Sequence, residues 1–407
     1  MDLYTAKSGD TLYKIAKGYG VSPEKLISDN MLPDPDRLSV GEAVAVVTPS
    51  KRHTVREGET LDGIARRYGS DKMSLWQYNP SLSGIDQAPV GESLTVRTAS
   101  PIQKSIATGV AVDADADEAL LRQLLPYATM VAVEHALLDE NGGVSVPMDA
   151  LAVALAPAYN TIPLIKITNG EGGSEAAEKT ARALFGSMGG EKELAETLLS
   201  ATKESGYRGC ILSVNGLSRE LIPAYIQFVK TLHGIFKENE LYLFIRIPIS
   251  ESLRYRGIEN AVTAVILESD NGLLPTEADM RSGIREAESF VAPEKLMVDI
   301  PLYAYERLAK TKENLRRMPT RNAIEGAKDE RAEILYDTED GVPHYTYFEK
   351  DGTEKETYFT DARSVASYLS LVGENDLLGA FFLPMGSFYS PAFLSLATSF
   401  YIQKPTY

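Results

Sequence analysis

The 407 residues predict a (β/α)8 barrel of the α/β class preceded by two small βααβ units. Three observations predict this arrangement. A motif near the N-terminus recurs 49 positions later, about 300 following residues alternate apolar runs with amphipathic stretches, and one late segment alternates in period two. We place the small units at 1–48 and 49–98, a linker at 99–104, and the barrel at 105–407 with a small α+β insertion at about 312–362.

The repeat is visible letter by letter. Residues 4–12 read YTAKSGDTL, and residues 53–61 read HTVREGETL. Apolar residues then follow the spacing i, i+3, i+4, i+7 in both copies, which predicts one short amphipathic helix per unit. A second helix and a terminal strand complete each unit. The second helices are expected to end near Asn30 and Asn79, and the terminal strands to cover 43–47 and 93–97.

This pattern resembles the LysM module, and the resemblance covers both repeats almost completely. It implies that each unit binds glycans containing N-acetylglucosamine in a groove between the loop before its first helix and the loop after its second. Backbone groups of such loops can bind the acetamido amide. Asp10 and Thr11 have an alternative role as helix caps. The expected groove residues are Gly9, Asp10, Thr11, Leu12, Met31, Leu32, Pro33 and Asp34 in the first unit, and Gly58, Glu59, Thr60, Leu61, Pro80, Ser81, Leu82 and Ser83 in the second.

The C-terminal region contains eight apolar, β-branched runs separated by amphipathic stretches, as in βα units around a parallel sheet. Eight such strands in a domain of this length indicate a closed barrel with its functional residues at the carboxyl ends of the strands. The expected strands are 106–112, 130–135, 163–168, 210–214, 242–247, 262–268, 296–300 and 379–383.

One late segment interrupts this rhythm. Residues from about 315 to 360 alternate in period two around the turns Asp340-Gly341 and Asp351-Gly352. Asp-Gly pairs between alternating runs are typical of tight hairpins. The segment therefore predicts an antiparallel unit inserted near the last strands.

Four phrases of the barrel resemble glycoside hydrolase family 18, especially its LysM-bearing branch that cuts spore cortex peptidoglycan. They are IKITN at 165–169, GYRG at 206–209, IPLYAY at 300–305 and FTDARS at 359–364. The resemblance spans the whole barrel and implies substrate-assisted hydrolysis of an amino-sugar glycan. In that reaction the 2-acetamido oxygen attacks the anomeric carbon while a carboxylic acid protonates the leaving oxygen.

The catalytic motif of that family is not intact here. The family carries two carboxylates two residues apart at the end of the fourth strand, and the matching positions are Ser213 and Asn215. An amide has no proton to donate near neutral pH, and general acid catalysis is typically worth about 10²–10⁴-fold. Two further family residues are also replaced. The tyrosine of the sixth strand is absent from the matching segment Leu267-Glu268-Ser269, and Leu383 stands in place of the tryptophan of the last strand. No catalytic residue is expected at these degenerate positions.

Other strand-end carboxylates offer an alternative. Glu134, Glu268 and Asp299 would form a replacement acid/base set if two of them stood at a suitable separation. In the competing interpretation they pair with Arg246 or Lys166 inside the barrel mouth, because buried charges are usually paired.

Two tyrosines also have two interpretations. Tyr303 and Tyr305 either line a saccharide cleft or pack beneath the insertion.

Composition excludes several classes of function. The formal charge is −16 and the pI about 4.9, which argues against a nucleic-acid partner. Residues 1–98 carry 12 basic and 13 acidic side chains, so nearly all of the negative charge belongs to the barrel. Cys210 is the single cysteine, and the four histidines show no metal-ligand spacing. We therefore expect no metal and no cofactor.

The N-terminus has no signal-peptide pattern and no stretch of the sequence is long and apolar enough for a membrane span, so we expect synthesis in the cytoplasm. The family resemblance implies deposition on the spore cortex or coat. The leading hypothesis is a glycan-binding protein for peptidoglycan or chitin-like polymers, with partner lytic enzymes or coat proteins. The alternatives are an active N-acetylglucosaminidase that uses displaced carboxylates and a structural coat or interaction protein.

Overall fold

The computed structural model describes most of the chain. Among the predicted elements, residues 100–103 of the linker and Pro33 of the first groove lie outside the described residues. The described ranges are 1–32, 34–99, 104–147, 150–170, 174–186, 189–269, 274–337 and 340–405.

The two N-terminal units have the predicted order of strand, helix, helix and strand. In each unit the first helix begins after a threonine, Thr11 or Thr60, whose hydroxyl accepts a hydrogen bond from the first turn. The first and last strands pair antiparallel. The elements are β1 (Asp2–Thr5), α1 (Leu12–Tyr19), α2 (Pro23–Asn30) and β2 (Ala43–Val46), then β3 (Pro49–Thr54), α3 (Leu61–Arg67), α4 (Lys72–Tyr78) and β4 (Ser93–Thr98).

A buried asparagine fixes the second helix of each unit to the terminal strand. The side-chain amide of Asn30 donates to the carbonyls of Leu26 and Ala45 at 2.9 and 2.8 Å, and its oxygen accepts from the Ala45 N–H at 2.8 Å. Asn79 makes the same three bonds to Leu75 and Thr95 at 2.8, 2.9 and 2.8 Å. The sequence repeat is thus also a repeat of hydrogen bonds.

The C-terminal region forms the predicted closed barrel of eight parallel strands. Two short strands extend this sheet at its edges, and a separate antiparallel sheet follows the seventh barrel strand. The strands are β5 (Ser105–Val112), β6 (Met130–Leu138), β7 (Val144–Ser145), β8 (Ile162–Thr168), β9 (Gly209–Ser213), β10 (Tyr242–Pro248), β11 (Ala264–Glu268), β12 (Leu296–Pro301), β13 (Tyr303–Leu308), β14 (Asn314–Pro319), β15 (Leu335–Tyr336), β16 (Pro343–Phe348), β17 (Glu354–Phe359), β18 (Gly379–Leu383) and β19 (Tyr401–Ile402).

The barrel closes because β5 pairs with both β6 and β18, so the strand order is β5, β6, β8, β9, β10, β11, β12 and β18. All eight predicted strands are present, with ends that differ by at most three residues. The helices of this region are α5 (Glu118–Leu124), α6 (Leu151–Leu155), α7 (Glu175–Phe185), α8 (Glu191–Glu204), α9 (Ile222–Glu238), α10 (Glu277–Glu288), α11 (Thr320–Asp329), α12 (Ala362–Glu374) and α13 (Ser390–Ser399). They cover the outside of the barrel, apart from α11, which packs on the inserted strands β13, β14 and β17.

The inside of the barrel is a packed core. Phe381 fills its centre and is fully buried among small and apolar side chains that include Ala132, Ile211 and Ile266. Gly109 faces this ring, and a Cβ there would lie 2.0 Å from it. The absence of a side chain at position 109 therefore makes room for the aromatic ring, and the core supports the strand ends from below.

The inserted unit is a five-stranded antiparallel sheet with the order β14, β13, β17, β16 and β15, together with α11. The predicted start near residue 312 was too late, because antiparallel pairing already begins at Tyr303, opposite Pro319. Tyr303 follows Pro301, the last residue of β12, by only two positions. A single apolar segment, residues 300–305, spans the end of β12 and the start of β13, so the sequence does not indicate where the barrel sheet ends and the inserted sheet begins.

Both N-terminal units lie against the C-terminal region. Lys328 of α11 forms an ion pair with Glu42 at 3.2 Å, and the two side chains are only 2% and 4% exposed. The Ile334 N–H donates to the Val40 carbonyl at 2.8 Å. In the second unit, Gln77 donates to the carbonyl of Pro126 at 2.8 Å. These contacts fix the orientation of the units relative to the barrel.

Among the described helices, none combines the length and the apolar character that crossing a bilayer requires.

Candidate functional site

A cavity of about 1560 Å³ opens at the carboxyl ends of the barrel strands. This is the end at which (β/α)8 barrels carry their functional residues. Every strand-end candidate from the sequence lines the cavity. These residues are Glu134, Ser213, Asn215, Glu268, Asp299 and Tyr303.

Asn215 is held by hydrogen bonds to the loop after β8. Its side-chain NH2 donates to the Gly170 carbonyl at 2.7 Å and, at 3.4 Å, to the Thr168 hydroxyl. Asn169 in turn binds the backbone of Asn215, accepting from its N–H at 2.7 Å and donating to its carbonyl at 2.9 Å. An ionised carboxylate could not make the bond to Gly170, because it only accepts hydrogen bonds. The amide at position 215 therefore connects two loops.

Ser213 is the last residue of β9 and is 4% exposed. It pairs in register with Thr168 of β8. A serine hydroxyl remains neutral near pH 7. The two positions that the family resemblance assigns to carboxylates therefore contribute no negative charge to the cavity.

Glu134 of β6 pairs with Lys166 of β8. Its Oε2 lies 2.8 Å from the Lys166 Nζ. Burial favours the neutral acid, but Lys166 and then Arg246 outweigh it and lower the pKa of Glu134. The Oε1 atom is buried and has no hydrogen-bond partner within the described part of the chain. Glu134 is an ionised, partnered carboxylate and not a free acid.

Asp299 of β12 forms the second pair. The Arg246 guanidinium of β10 donates to its Oδ1 at 2.6 Å, and the side chains are 3% and 2% exposed. Burial raises the pKa of Asp299 to about 7, although Arg246 opposes this shift. Arg246 also packs over the Phe381 ring, with its guanidinium carbon 5.0 Å from the centroid. The pairing interpretation is confirmed for both Glu134 and Asp299.

Glu268 differs from the other two candidates. It is half-buried at the end of β11, and within the described residues its carboxylate forms no ion pair. Its negative charge nevertheless acts on Arg246 and Asp299, since it raises the pKa of each. Glu268 is thus the one predicted carboxylate that still faces the cavity without a cationic partner.

The two tyrosines divide between the two interpretations. Tyr303 lines the cavity, with the guanidinium of Arg317 5.7 Å from its ring centre. Burial raises the pKa of the Tyr303 hydroxyl. Tyr305 lies on the inserted sheet, where its ring stacks on Tyr358 at 5.4 Å with an interplanar angle of 11°. Only Tyr303 is in a position to contact a molecule in the cavity.

In the N-terminal units, an acidic side chain stabilises each first loop from inside. Asp10 accepts hydrogen bonds from the Tyr4 hydroxyl at 2.7 Å and the Lys7 N–H at 2.8 Å, which together lower its pKa. Glu59 accepts from the Arg56 N–H at 2.9 Å and the His53 Nε2 at 2.6 Å, and these bonds lower its pKa to about 2. Neither carboxylate caps a helix. The cap interpretation holds for Thr11 and its counterpart, but not for Asp10.

The exposed surface of the predicted grooves comes mainly from the first loops. Gly9, Thr11, Gly58 and Thr60 are exposed, whereas Leu12 and Leu61 are buried core residues. Gly9 and Gly58 have φ values of 80° and 78°, so glycine suits both turns.

The second loops of the units lie closer to other parts of the molecule. The Met31 carbonyl accepts a hydrogen bond from Arg321 at 3.5 Å, and the Ser81 and Ser28 hydroxyls lie 2.7 Å apart. Leu32 and Asp34 are half-buried, Pro80 and Leu82 are buried, and Ser83 is half-buried. The predicted grooves therefore border the insertion in the first unit and the neighbouring unit in the second.

Two contributors were missed from the sequence. Asn169 shapes the backbone of position 215, and Arg317 reaches the cavity from the inserted sheet. The sequence phrase around Asn169 indicates the family resemblance but not this structural role. No local sequence pattern indicates the role of Arg317, because β14 reaches the barrel mouth only through the fold of the insertion.

Within the described residues, no cluster of three or more histidine, cysteine or acidic side chains could hold a metal ion.

The family described as LysM domain matches residues 4–46 and 53–97. Over 99% of this chain, the sequence is 25% identical to the cortical fragment-lytic enzyme of Bacillus anthracis, of which it covers 99%. It is 23% identical to the enzyme of the same name from Bacillus subtilis strain 168, with all of both chains covered.

Solved structures show the same fold. The spore cortex-lytic enzyme SleL of Bacillus megaterium QM B1551 superposes with a TM-score of 0.81 and 21% identity, covering 99% of both chains. A chitinase from Chromobacterium violaceum ATCC 12472 superposes with a TM-score of 0.62 and 16% identity, over 72% of this chain and 98% of that one. The chain thus carries two LysM domains, which indicate binding to a peptidoglycan-like glycan, and a barrel with the SleL fold.

Proposed function

We propose that this chain is a peptidoglycan-binding protein of the spore cortex or coat whose barrel holds amino-sugar glycans without cleaving them. The observation that carries the proposal is the side chain of Asn215, which occupies the position of the family's proton donor and is bound to the Gly170 carbonyl. In this account the protein acts beside active lytic enzymes.

The LysM domains support the binding half of the proposal. Both copies keep their first loop exposed and braced by an internal carboxylate, Asp10 or Glu59. Two weak sites fixed in one molecule bind a repeating polymer more strongly than either alone, by about 10²-fold or more, because the second contact is intramolecular. The contacts of both domains with the barrel orient them, which reduces the entropy lost when both bind one polymer.

The cavity supports the non-catalytic half. Hydrolysis needs a protonated acid beside the leaving oxygen, and substrate assistance needs a group that orients the acetamido oxygen. Ser213 and Asn215 provide neither. Glu134 and Asp299 are engaged with Lys166 and Arg246.

The names of the relatives bear on where the protein acts. Two of them are named cortical fragment-lytic enzymes, and one solved neighbour is named a spore cortex-lytic enzyme. We assign the same polymer to this chain as its ligand, with a different outcome at the barrel.

A sedimentation assay tests the binding claim. The full-length protein is mixed with insoluble peptidoglycan, and we expect it to sediment with the polymer. Excess chito-oligosaccharide should release it, whereas cello-oligosaccharide of equal length, which lacks the acetamido group, should not. Protein that stays in the supernatant, or that both oligosaccharides release equally, would contradict the proposal.

One observation favours a second candidate, an N-acetylglucosaminidase with displaced carboxylates. Glu268 lines the cavity without an ion pair, and the pKa of the neighbouring Asp299 is about 7, a suitable value for an acid near neutral pH. Incubation with cortex fragments, followed by an assay for new reducing ends, separates the candidates. Turnover that Glu268→Gln abolishes would establish this enzyme, whereas turnover that no strand-end substitution affects would come from a contaminant.

A further inference from the structure

Among the described residues that line the cavity, five charged side chains belong to the barrel strands and form its floor. Four of them form the two pairs Glu134–Lys166 and Arg246–Asp299, at 2.8 and 2.6 Å. Glu268 is the fifth. The floor therefore holds three carboxylates and two cations.

Glu268 therefore has no ion-pair partner of its own among the described residues, although its charge acts on Arg246 and Asp299 at longer range. Lys166 and Arg246 each already have a carboxylate within hydrogen-bond distance, and the pair formed by Arg246 is almost completely shielded from solvent. A partly buried charge with no partner is costly unless water or a ligand compensates it. Glu268 lines an open cavity and is accessible to such a ligand.

The hydrogen bonding of the floor is also incomplete. The Oε1 of Glu134 and the Nε of Arg246 are buried and have no hydrogen-bond partner among the described residues. Buried polar atoms without partners are rare in native proteins and often occur where a water or ligand binds. The floor thus shows two independent features of a binding site, which are unmet hydrogen bonds and one carboxylate without an ion-pair partner.

The chemistry of the expected ligand follows from the carboxylate of Glu268. An ammonium group carries one positive charge and three donors and accepts no hydrogen bond, so it complements a lone carboxylate. An acetamido group is neutral and offers a single N–H donor, so it complements a carboxylate less well than an ammonium group does. Within a cavity for amino-sugar glycans, the complementary unit is a sugar whose 2-amino group is free.

We propose that the barrel cavity selects de-N-acetylated amino sugars, with the Glu268 carboxylate accepting hydrogen bonds from the 2-ammonium group. The inference rests on the proposed function, because it assumes that the cavity receives an amino-sugar chain. The two parts of the protein would then bind different units of the same polymer. The LysM domains bind acetylated units of the polymer, and the barrel binds a unit that has lost its acetyl group.

Titration calorimetry of the full chain with two probes of matched length tests this division. One probe is a fully de-N-acetylated chito-oligosaccharide, and the other is the fully acetylated form. Glu268→Gln keeps the shape of the side chain and removes its charge. We expect it to weaken binding of the de-N-acetylated probe about tenfold or more, which is the usual effect of losing one charge-assisted hydrogen bond. The acetylated probe should lose much less affinity.

Glu251→Gln is the matched control. Glu251 lines the same cavity but is paired with Arg254 at 2.7 Å, so its substitution should leave the preference between the probes unchanged. The wild-type affinity for the de-N-acetylated probe should also fall as pH rises and the ammonium group loses its proton. Thermal unfolding of Glu268→Gln, compared with the wild type, shows whether the variant keeps its fold.

The outcomes separate the inference from the function on which it rests. If the acetylated probe and insoluble peptidoglycan bind but Glu268→Gln weakens both probes by the same factor, or neither, the inference is wrong and the proposed function stands. If neither probe nor the polymer binds, the proposed function fails as well.

Discussion

Polar side chains have different roles in the LysM domains and at the barrel strand ends. In the LysM domains one arrangement occurs twice, since Asn30 and Asn79 make the same three hydrogen bonds. In the barrel, the two positions that the family resemblance assigns to catalysis hold Ser213 and Asn215, and Asn215 connects two loops.

The comparison indicates that a binding site and a catalytic site differ in how well they tolerate amino-acid replacement. A groove of backbone groups needs only a stable loop, so the same loop can be kept with different residues, as Asp10 and Glu59 illustrate. General acid catalysis needs one ionisable group at one point in space. In the function proposed here, a single amide at that point removes the chemistry and leaves the cavity.

The largest expected effect concerns the buried pair of the barrel floor. Arg246→Met leaves Asp299 as a buried carboxylate without a partner, which should lower the free energy of unfolding by about 3–5 kcal/mol in urea denaturation. Arg246→Met with Asp299→Leu should recover much of that loss. Arg254→Met is the control, because its pair with Glu251 is partly exposed and should contribute at most about 1 kcal/mol. Equal effects of the two single substitutions would show that the floor pair has no special structural role.

The next effect tests whether the two LysM domains are equivalent. Asn30→Ala and Asn79→Ala each remove three buried hydrogen bonds, and we expect each to cost about 2–3 kcal/mol in the same denaturation experiment. Asn314→Ala, at an exposed strand position, should change stability by less than about 0.5 kcal/mol. A large cost in one domain only would break the equivalence.

Some of the structural features behind these predictions could be predicted from the sequence, and others could not. The eight barrel strands were predictable because each is a buried apolar run between amphipathic helices. The LysM helices were predictable because Thr11 and Thr60 precede apolar residues at helical spacing. In both cases the signal lies within one short segment of chain.

Features that depend on distant contacts were not predictable in the same way. The sequence offered Arg246 and Lys166 as partners for three carboxylates, but only the barrel register assigns them to Asp299 and Glu134. The ion pair of Glu42 with Lys328 joins residues almost 300 positions apart, and neither residue has a local pattern that indicates it. The antiparallel sheet was recognised, but its first strand was hidden in the apolar phrase that contains Tyr303.

A smaller effect distinguishes the LysM domains by pH. Asp29 precedes Asn30, where the second domain has Tyr78, and burial raises the pKa of Asp29 to about 6 despite its ion pair with Lys25. In the folded state Asp29 therefore keeps its proton up to about pH 6, whereas in the unfolded state it releases this proton near pH 4. This group's contribution to stability should fall by about 2 kcal/mol as pH rises from about 4 to 6.

Asp29→Asn should remove that fall when unfolding free energies are compared at several pH values. Asp36→Asn, at an exposed position of the same domain, should leave the pH profile as it is in the wild type. A profile that Asp29→Asn does not alter would show that Asp29 is ionised throughout this range in the folded state.

The smallest effect concerns the threonine caps. Thr11→Ala and Thr60→Ala should each lower the free energy of unfolding by about 1 kcal/mol through loss of a helix cap. If the hydroxyls only cap the helices, sedimentation with peptidoglycan should not change. Weaker sedimentation at equal stability would show that the hydroxyls also contact the glycan.

The most direct test of the central claim is a crystal structure of the full chain soaked with a chito-oligosaccharide long enough to cross the barrel cavity. We expect an uncleaved chain in the cavity, with the Asn215 amide still bound to the Gly170 carbonyl. An oligosaccharide cleaved within the cavity, with two separate products beside the strand ends, would contradict the account.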